Sequence, residues 1–476
     1  MLNDKQLASI GFTAVLNGVE VMTPYGEELR RHPHFYARSE EEELLREQEN
    51  VLILRRAVRR EPGRISAITR LLMPVKDVRR SISALGERTL SEVELFEIKR
   101  FLLELELIAP EVRALGAGLY RIDITEMPAA LDIIDPDGTR SPSFYVSDRL
   151  SERLAGIRRE RRAVDEAMRR GENTEELQIK RTKLAAEEED ENARVRGLIS
   201  DKLGAFREGL LENAASIGRL DLALGKARLA EQLGAIMPVV GERDFVFEGM
   251  INPRFKKALE EKGRGFVPVS LTLEKGCVVI TGANMGGKSF AIKTLALNAM
   301  LAMCGYPVCA ESAGLPFLDD ICLLSGDSED AEGGLSSFGG EMKAFDGILR
   351  ETEGAKNALI MLDEFARGTN PHEGAALVRA AARLFNTRSN TYAVIATHFD
   401  GVARFARLHY QVAGLRNADA GKLSAELKAG GSDTLLKYMD YGLYPVSQDE
   451  EPPRDAVKII KALGVSGEFT SLIDIE

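Results

Sequence analysis

The chain has 476 residues, 44% of them hydrophobic and 29% charged, with a formal net charge of −11. That length suits two to four domains with substantial cores, and so acidic a balance excludes a general polyanion binder: any nucleic-acid contact must use a local basic patch. No apolar run reaches membrane-spanning length, and the start of the chain lacks the basic and apolar regions of a signal peptide, which predicts a cytoplasmic protein.

Residues 1–130 read as a helical core that would serve as a scaffold. Turn signals fall at Gly18 and at Pro24-Tyr25-Gly26, and a charged helix running from Glu40 to Arg60 meets Pro62-Gly63. Ser91 with Glu94 forms a capping box, and the helix behind it predicts a packed stripe of Val93, Phe96, Leu103 and Leu107. Residues 131–200 read as a short strand and turn (Leu131–Arg140) followed by a charged arm. In the arm, two antiparallel helices turn at Gly171-Glu172-Asn173 and carry Arg158, Arg159, Arg161 and Arg162. Those arginines suit either phosphate contact or pairing with neighbouring acids on a solvated face. Residues 201–241 return to an amphipathic helix.

From residue 242 to 445 strand-like runs (Val267–Leu273, Cys277–Thr281, Ile321–Leu324, Ala358–Leu362, Thr391–Ala396) alternate with helical ones, which predicts an α/β domain with a mainly parallel sheet. Cys277, Cys304, Cys309 and Cys322 form no C-x-x-C pair and read as buried thiols. Residues 446–476 read as a tail, with a short helix whose apolar side is Val457, Ile460 and Leu463.

One stretch organises this domain. Gly282, Ala283, Asn284, Met285, Gly286, Gly287, Lys288 and Ser289 follow a strand, open a helix and fill the G-x-x-x-x-G-K-[ST] pattern of a phosphate loop. Glycines let successive backbone N–H groups turn toward an anion, Lys288 supplies charge for the outer phosphates, and the Ser289 hydroxyl suits Mg²⁺. Asp363 and Glu364 end a buried strand at the sheet's carboxyl edge. Asp363 would complete the Mg²⁺ site and Glu364 would polarise the attacking water. His398 ends another strand as a sensor of the third phosphate. The glycine-serine loop around Ser336 and Ser337 is a second anion cradle. One phosphate chain hardly needs two, so this loop predicts a two-fold dimer in which it reaches the partner's nucleotide.

With these stretches placed, the region from Val267 to Gly414 closely resembles the ATPase domain of the MutS DNA mismatch-repair family. Thr281–Ser289 resembles its phosphate loop, Ser336–Met342 its dimer-crossing signature, Leu362–Thr369 its acidic strand end, and Ala396–Phe399 its histidine switch. Residues 193–240 are similar to its lever helix, and the arm at 151–196 sits where the family has a DNA clamp. The resemblance implies a P-loop ATPase using ATP and Mg²⁺, catalytic Asp363, Glu364 and His398, a homodimer, and action on mismatched or branched DNA. Ala283, Phe290 and Ala366 depart from the family's proline, threonine and glycine, and none removes a chemical group. No Phe-x-Glu wedge precedes the levers and no Smr nuclease domain follows, so the resemblance is to a short member. Some short MutS-like ATPases also share a tail like Lys437–Pro445. They are associated with reactivating cobalamin-dependent aminomutases, which makes a protein the alternative partner.

Overall fold

The structure is a computed structural model that describes residues 2–116, 118–172, 174–241, 245–263, 265–282, 287–325, 337–415 and 440–450, with isolated positions near the carboxyl terminus. The expected tail helix lies outside the described residues. The first helices are α1 (Asp4–Ile10), α2 (Phe12–Asn17), α3 (Pro24–Arg31), α4 (Glu41–Arg60), α5 (Pro62–Leu72) and α6 (Arg79–Ser83). They are followed by α7 (Glu92–Arg113), α8 (Pro128–Ile134), α9 (Glu152–Arg169), α10 (Glu175–Leu203) and α11 (Arg207–Leu233). Beyond them come β1 (Val239–Val240), β2 (Phe245–Met250), α12 (Pro253–Glu260), β3 (Val269–Leu273), β4 (Gly276–Thr281) and α13 (Gly287–Met303). The remainder is β5 (Ser312–Leu315), β6 (Asp320–Ser325), α14 (Ser337–Glu351), β7 (Ala358–Asp363), α15 (Pro371–Thr387), β8 (Thr391–Ala396), β9 (Leu408–Gly414) and β10 (Asp440–Val446).

The chain divides into two compact units. One holds residues 20–33 and 50–227, and its assigned elements are helical. The capping box at α7 forms as expected: Ser91 Oγ accepts the Glu94 N–H and the Glu94 carboxylate accepts the Ser91 N–H at 2.9 Å. The packed stripe of α7 does not. Leu95, Ile98, Leu102 and Leu105 are buried, whereas Val93 and Leu107 are 68% and 57% exposed. Apolar residues of this helix fall on more than one face, interleaved with charged ones, so periodicity alone cannot choose its inner face.

The segment expected as a strand at Leu131–Arg140 is helix α8 and a turn. Pro128 sits in its first turn and Ala130, Leu131 and Ile134 face inward. Asp135 then closes the turn, accepting from the Arg140 N–H at 2.8 Å and the Thr139 hydroxyl at 3.0 Å. A Lys99–Asp135 ion pair at 3.1 Å, 4% exposed on both sides, ties this turn to α7. Pro62 does not merely stop a helix but starts α5. The stretch read as amphipathic at 201–241 is buried on several sides instead: Leu210, Ala214, Ile217, Leu220 and Leu224 of α11 are all inside. Gly218 lets α11 approach Tyr25, where a Cβ would lie 2.9 Å from the Tyr25 side chain. Asp221 accepts from the N–H groups of Met22 and Thr23, which fastens the start of α3.

The other unit, residues 1–19, 34–49 and 228–476, carries a mixed α/β architecture. Its main sheet has the order β10-β9-β4-β8-β7-β6, parallel except for the antiparallel β10–β9 edge. A second sheet, β1-β5-β2-β3, was not anticipated, and β3 belongs to it rather than to the parallel sheet. The central strands are continuous apolar runs because both faces are covered. Cys277, Val279, Ile360, Leu362, Ala393 and Ile395 pack with Val378, Ala381 and Phe385 of α15. Each fully buried aliphatic or phenyl side chain of this kind contributes about 1.5–3 kcal/mol. All four cysteines are buried and free.

Candidate functional site

Register brings the site together. Ile280 of β4 pairs with Ala396 of β8, and Ala396 pairs with Asp363 of β7. Three parallel strands therefore end at one level, and the residues that follow each end meet at the sheet's carboxyl edge. Gly282 follows β4 with φ +142°, and Val412 of β9 lies 3.0 Å from where its Cβ would be. At Gly287 a Cβ would meet Val412 at 2.6 Å. Both positions admit only glycine, for backbone conformation at the first and for space at both. Ala283, Asn284, Met285 and Gly286 lie outside the described residues.

Lys288 and Ser289 occupy the first turn of α13, whose unsatisfied N–H groups and partial positive charge face the same edge. Lys288 is 3% exposed, and its ammonium donates to the Gly282 carbonyl at 2.7 Å. Burial pulls its pKa below the ordinary lysine value, while the charges of Glu364 and Asp363 oppose that shift. Ser289 Oγ donates to Asp363 Oδ1 at 2.9 Å. Burial raises the Asp363 pKa, the Ser289 hydrogen bond lowers it, and the nearby Glu364 charge raises it again.

Glu364 and Ala366 both adopt left-handed backbone, with φ +56° and +62°, a conformation few non-glycine residues hold without support. The Glu364 N–H donates to the Ala396 carbonyl at 3.0 Å, and its carboxylate accepts from Arg367 at 2.6 Å. His398 lies two residues past β8. Its ring packs on Phe399 with centroids 4.3 Å apart, and its Nδ1 is buried with no hydrogen-bond partner among the described residues. Burial holds the imidazole below its usual pKa, with the Glu364 charge working the other way. The shift favours the neutral ring, and among the described residues nothing partners its buried Nδ1.

Ser336 lies outside the described residues. Ser337 is the first residue of α14. The arm is the hairpin of α9 and α10, and there Arg158 is largely engaged. Its guanidinium donates to Asp148, Glu188, Asn192 and the Val146 carbonyl at 2.6–3.2 Å. Arg161 pairs with Glu188 and Arg162 pairs with Asp148 at 3.5 Å, whereas Arg159 is exposed.

Sequence reasoning missed an aromatic group next to the start of α13. Phe290 lies 5.2 Å from Phe255, 5.3 Å from Phe266 and 6.1 Å from Tyr441, measured between ring centroids, and all four are partly exposed. The one signal was Phe290 itself, an aromatic residue directly after the serine. It also missed His409 of β9. Its Nδ1 lies 2.8 Å from the Ser447 carbonyl and its Nε2 2.8 Å from the Thr281 hydroxyl. A carbonyl only accepts, so Nδ1 carries the proton and Nε2 takes the Thr281 hydrogen.

The residues suit a magnesium–nucleotide phosphate chain. Among the described residues no cluster of three or more His, Cys, Asp or Glu side chains could hold a metal unaided, which fits a cation bound through one hydroxyl, one carboxylate, water and phosphate. A buried lysine, a serine–aspartate pair and a histidine whose Nδ1 has no partner among the described residues gather at the ends of three parallel strands of an α/β protein.

The family model described as MutS domain V matches residues 278–430. The chain is 36% identical over 207 residues to the DNA mismatch repair protein MutS of Thermus aquaticus, covering 42% of this chain and 24% of that one. It is 28% identical over 321 residues to the protein of that name from Natronomonas pharaonis, covering 66% and 34%. Endonuclease MutS2 of Thermus thermophilus is 32% identical over 229 residues, covering 47% and 29%. The chain is a MutS-family member, matched over part of its length, and it spans 24–34% of these relatives. Among the described residues no helix is long and apolar enough to cross a membrane.

Proposed function

We propose that this chain is a P-loop ATP hydrolase that binds and cleaves ATP at a composite site between two copies and couples the cycle to mismatched or branched DNA. The observation that carries this reading is the 2.9 Å Ser289–Asp363 contact beside buried Lys288, with Glu364 and His398 on the adjoining strand ends. Lys288 and the first turn of α13 would hold the β- and γ-phosphates. Ser289 and Asp363 would hold Mg²⁺, which neutralises charge on those phosphates. Glu364 orients a water for in-line attack on the γ-phosphorus and takes its proton, as the bond to the β-bridging oxygen breaks and ADP and phosphate leave. His398, neutral and with Nδ1 free, would hydrogen-bond the third phosphate or that water. The half-exposed rings of Phe255, Phe266, Phe290 and Tyr441 offer flat faces for a purine. Ser336 and Ser337 would reach the nucleotide of the partner in a homodimer.

The DNA half of the reading rests on the relatives, two of which are named for mismatch repair, and on the arm. There, the pairing of Arg158, Arg161 and Arg162 with acids of the same unit favours a second reading in which the partner is a protein, such as a cobalamin-dependent aminomutase. ATP hydrolysis by the purified chain, measured alone and with branched, mismatched and plain duplex DNA, tests both. Stimulation by any duplex supports the first reading, and hydrolysis without DNA affinity at low salt supports the second. No hydrolysis under any condition overturns the enzyme itself. Glu364→Gln should still bind ATP, hydrolyse it at least about 100-fold more slowly, and accumulate as a dimer in light scattering.

A further inference from the structure

The turn that presents Glu364 is held in a conformation its own residues do not favour. Glu364 and Ala366 have φ +56° and +62°, and left-handed backbone is costly for any residue with a Cβ. Such a turn persists only where its surroundings over-determine it. Two elements do so here. From α15, Gly374 lies so close that a Cβ would sit 2.8 Å from the Ala366 carbonyl and 2.7 Å from the Phe399 ring. From α14, Glu341 Oε1 accepts the Ala366 N–H at 3.1 Å, and one helical turn further on Phe345 packs on Phe365 with ring centroids 4.8 Å apart. Phe365 is 2% exposed, so the residue between the two left-handed positions is anchored in the core.

We propose that Glu341 is a positioning residue for ATP hydrolysis: its carboxylate, by capping the Ala366 N–H, keeps Glu364 aimed at the nucleotide. This rests on the assignment of Glu364 as the group that orients water. The contact also joins two parts of the site that are distant in sequence. Glu341 stands in the opening turns of α14, which begins at Ser337. A displacement of α14 is thereby passed to the hydrolytic turn of its own subunit. Without the cap, an alanine at 366 relaxes toward right-handed backbone and the Glu364 carboxylate leaves its aim.

Steady-state ATP hydrolysis and binding of a fluorescent ATP analogue, both with Mg²⁺ and the full chain, test the proposal. Glu341→Ala should lower kcat about tenfold, the scale of a small misplacement of a catalytic group, while nucleotide affinity stays within about twofold. Glu341→Gln, whose amide oxygen still accepts the N–H, should retain at least about half of the parent kcat. An unchanged kcat in Glu341→Ala, or a Gln variant as slow as the Ala variant, overturns the proposal. Should the Ala variant fail to fold, Glu341→Asp decides, because its shorter side chain cannot reach. It should be as slow as expected for Ala, and parental turnover overturns the proposal. Glu364→Gln serves as the control. If it is inactive and Glu341→Ala is normal, only the cap fails; if it turns over normally, the assignment of Glu364 fails and the cap with it.

Discussion

The arm and the strand-end site are both dense in charge, yet they differ in how much of that charge is answered within the chain. In the arm, Arg158 meets Asp148 and Glu188, Arg181 meets Asp165 at 2.7 Å, and Arg194 meets Glu191 at 2.6 Å. Arg196 takes both Glu92 and Glu189. At the strand ends the His398 Nδ1 is buried without a partner among the described residues, whereas the arm's comparable atoms, Arg196 Nε and Glu188 Oε2, belong to groups whose other atoms are paired. Lys288 is buried with its ammonium on the Gly282 carbonyl and the charges of Glu364 and Asp363 nearby, and two non-glycine residues hold left-handed backbone. A folded chain rarely leaves buried polar atoms unanswered without a reason. The density of arginines says little about binding; the unfinished polar groups say much more.

The largest test of that contrast is Lys288→Ala. If this cation is kept buried for a ligand, its removal should weaken ATP binding by at least about 100-fold, as loss of a desolvated charge partner does. It should leave the thermal midpoint of the chain without nucleotide nearly unchanged. Calorimetric titration with ATP and Mg²⁺ reads the first, and equal affinity in the variant would make the lysine a structural one.

Next in size is the matched pair Arg158→Ala and Arg159→Ala. The first takes one of the two arginines from Glu188, which is 7% exposed, leaving Arg161 alone, and removes the donor to the Val146 carbonyl. It should cost about 2–3 kcal/mol of stability in denaturant unfolding. The second should cost less than about 0.5 kcal/mol. If the arm does contact DNA, Arg159→Ala alone should reduce the slope of log affinity against log salt by about one. Equal destabilisation by both would erase the distinction between an engaged and an available arginine.

The smallest effect concerns pH. Burial lowers the His398 pKa below its ordinary 6.5, so the neutral ring persists on acidification past that value. Turnover should stay level down to about pH 6.5 and fall only below it, and this acid limb should vanish in His398→Asn. The stability linkage has the same sign for His398 and for His409, whose pKa burial also lowers. The contribution of the neutral rings is complete above 6.5 and lost as pH falls through the folded value. A fall in turnover beginning above pH 7 would contradict a neutral His398.

Much of the site was legible as local chemistry. A continuous apolar run ending in glycines, then lysine and serine, states a buried strand followed by a phosphate loop. Asp363-Glu364 and His398 at the ends of two other apolar runs state the same geometry. These signals are strong because a strand buried on both faces has no other way to read. Weaker signals misled where several local structures fit one pattern. The residues of α7 satisfy two helical faces, and Leu131–Arg140 contains too few residues to separate a helical turn from a strand. The second sheet and the aromatic group around Phe290 escaped because their members come from separate stretches that periodicity never compares.

The amino-acid sequence by itself therefore determined the central strands, the glycines at 282 and 287, and the identity of the groups proposed to meet a phosphate. These follow from backbone freedom and side-chain chemistry, which act over a few residues. Only the tertiary structure decided that Asp363 comes within hydrogen-bonding reach of Ser289, that Arg158 is consumed by Asp148 and Glu188, and that Glu341 caps the turn behind Glu364. Each of those pairings depends on strand register or helix packing between residues 10 to 74 positions apart in the chain. Register and packing are set by the burial of whole faces, a property that no short stretch contains.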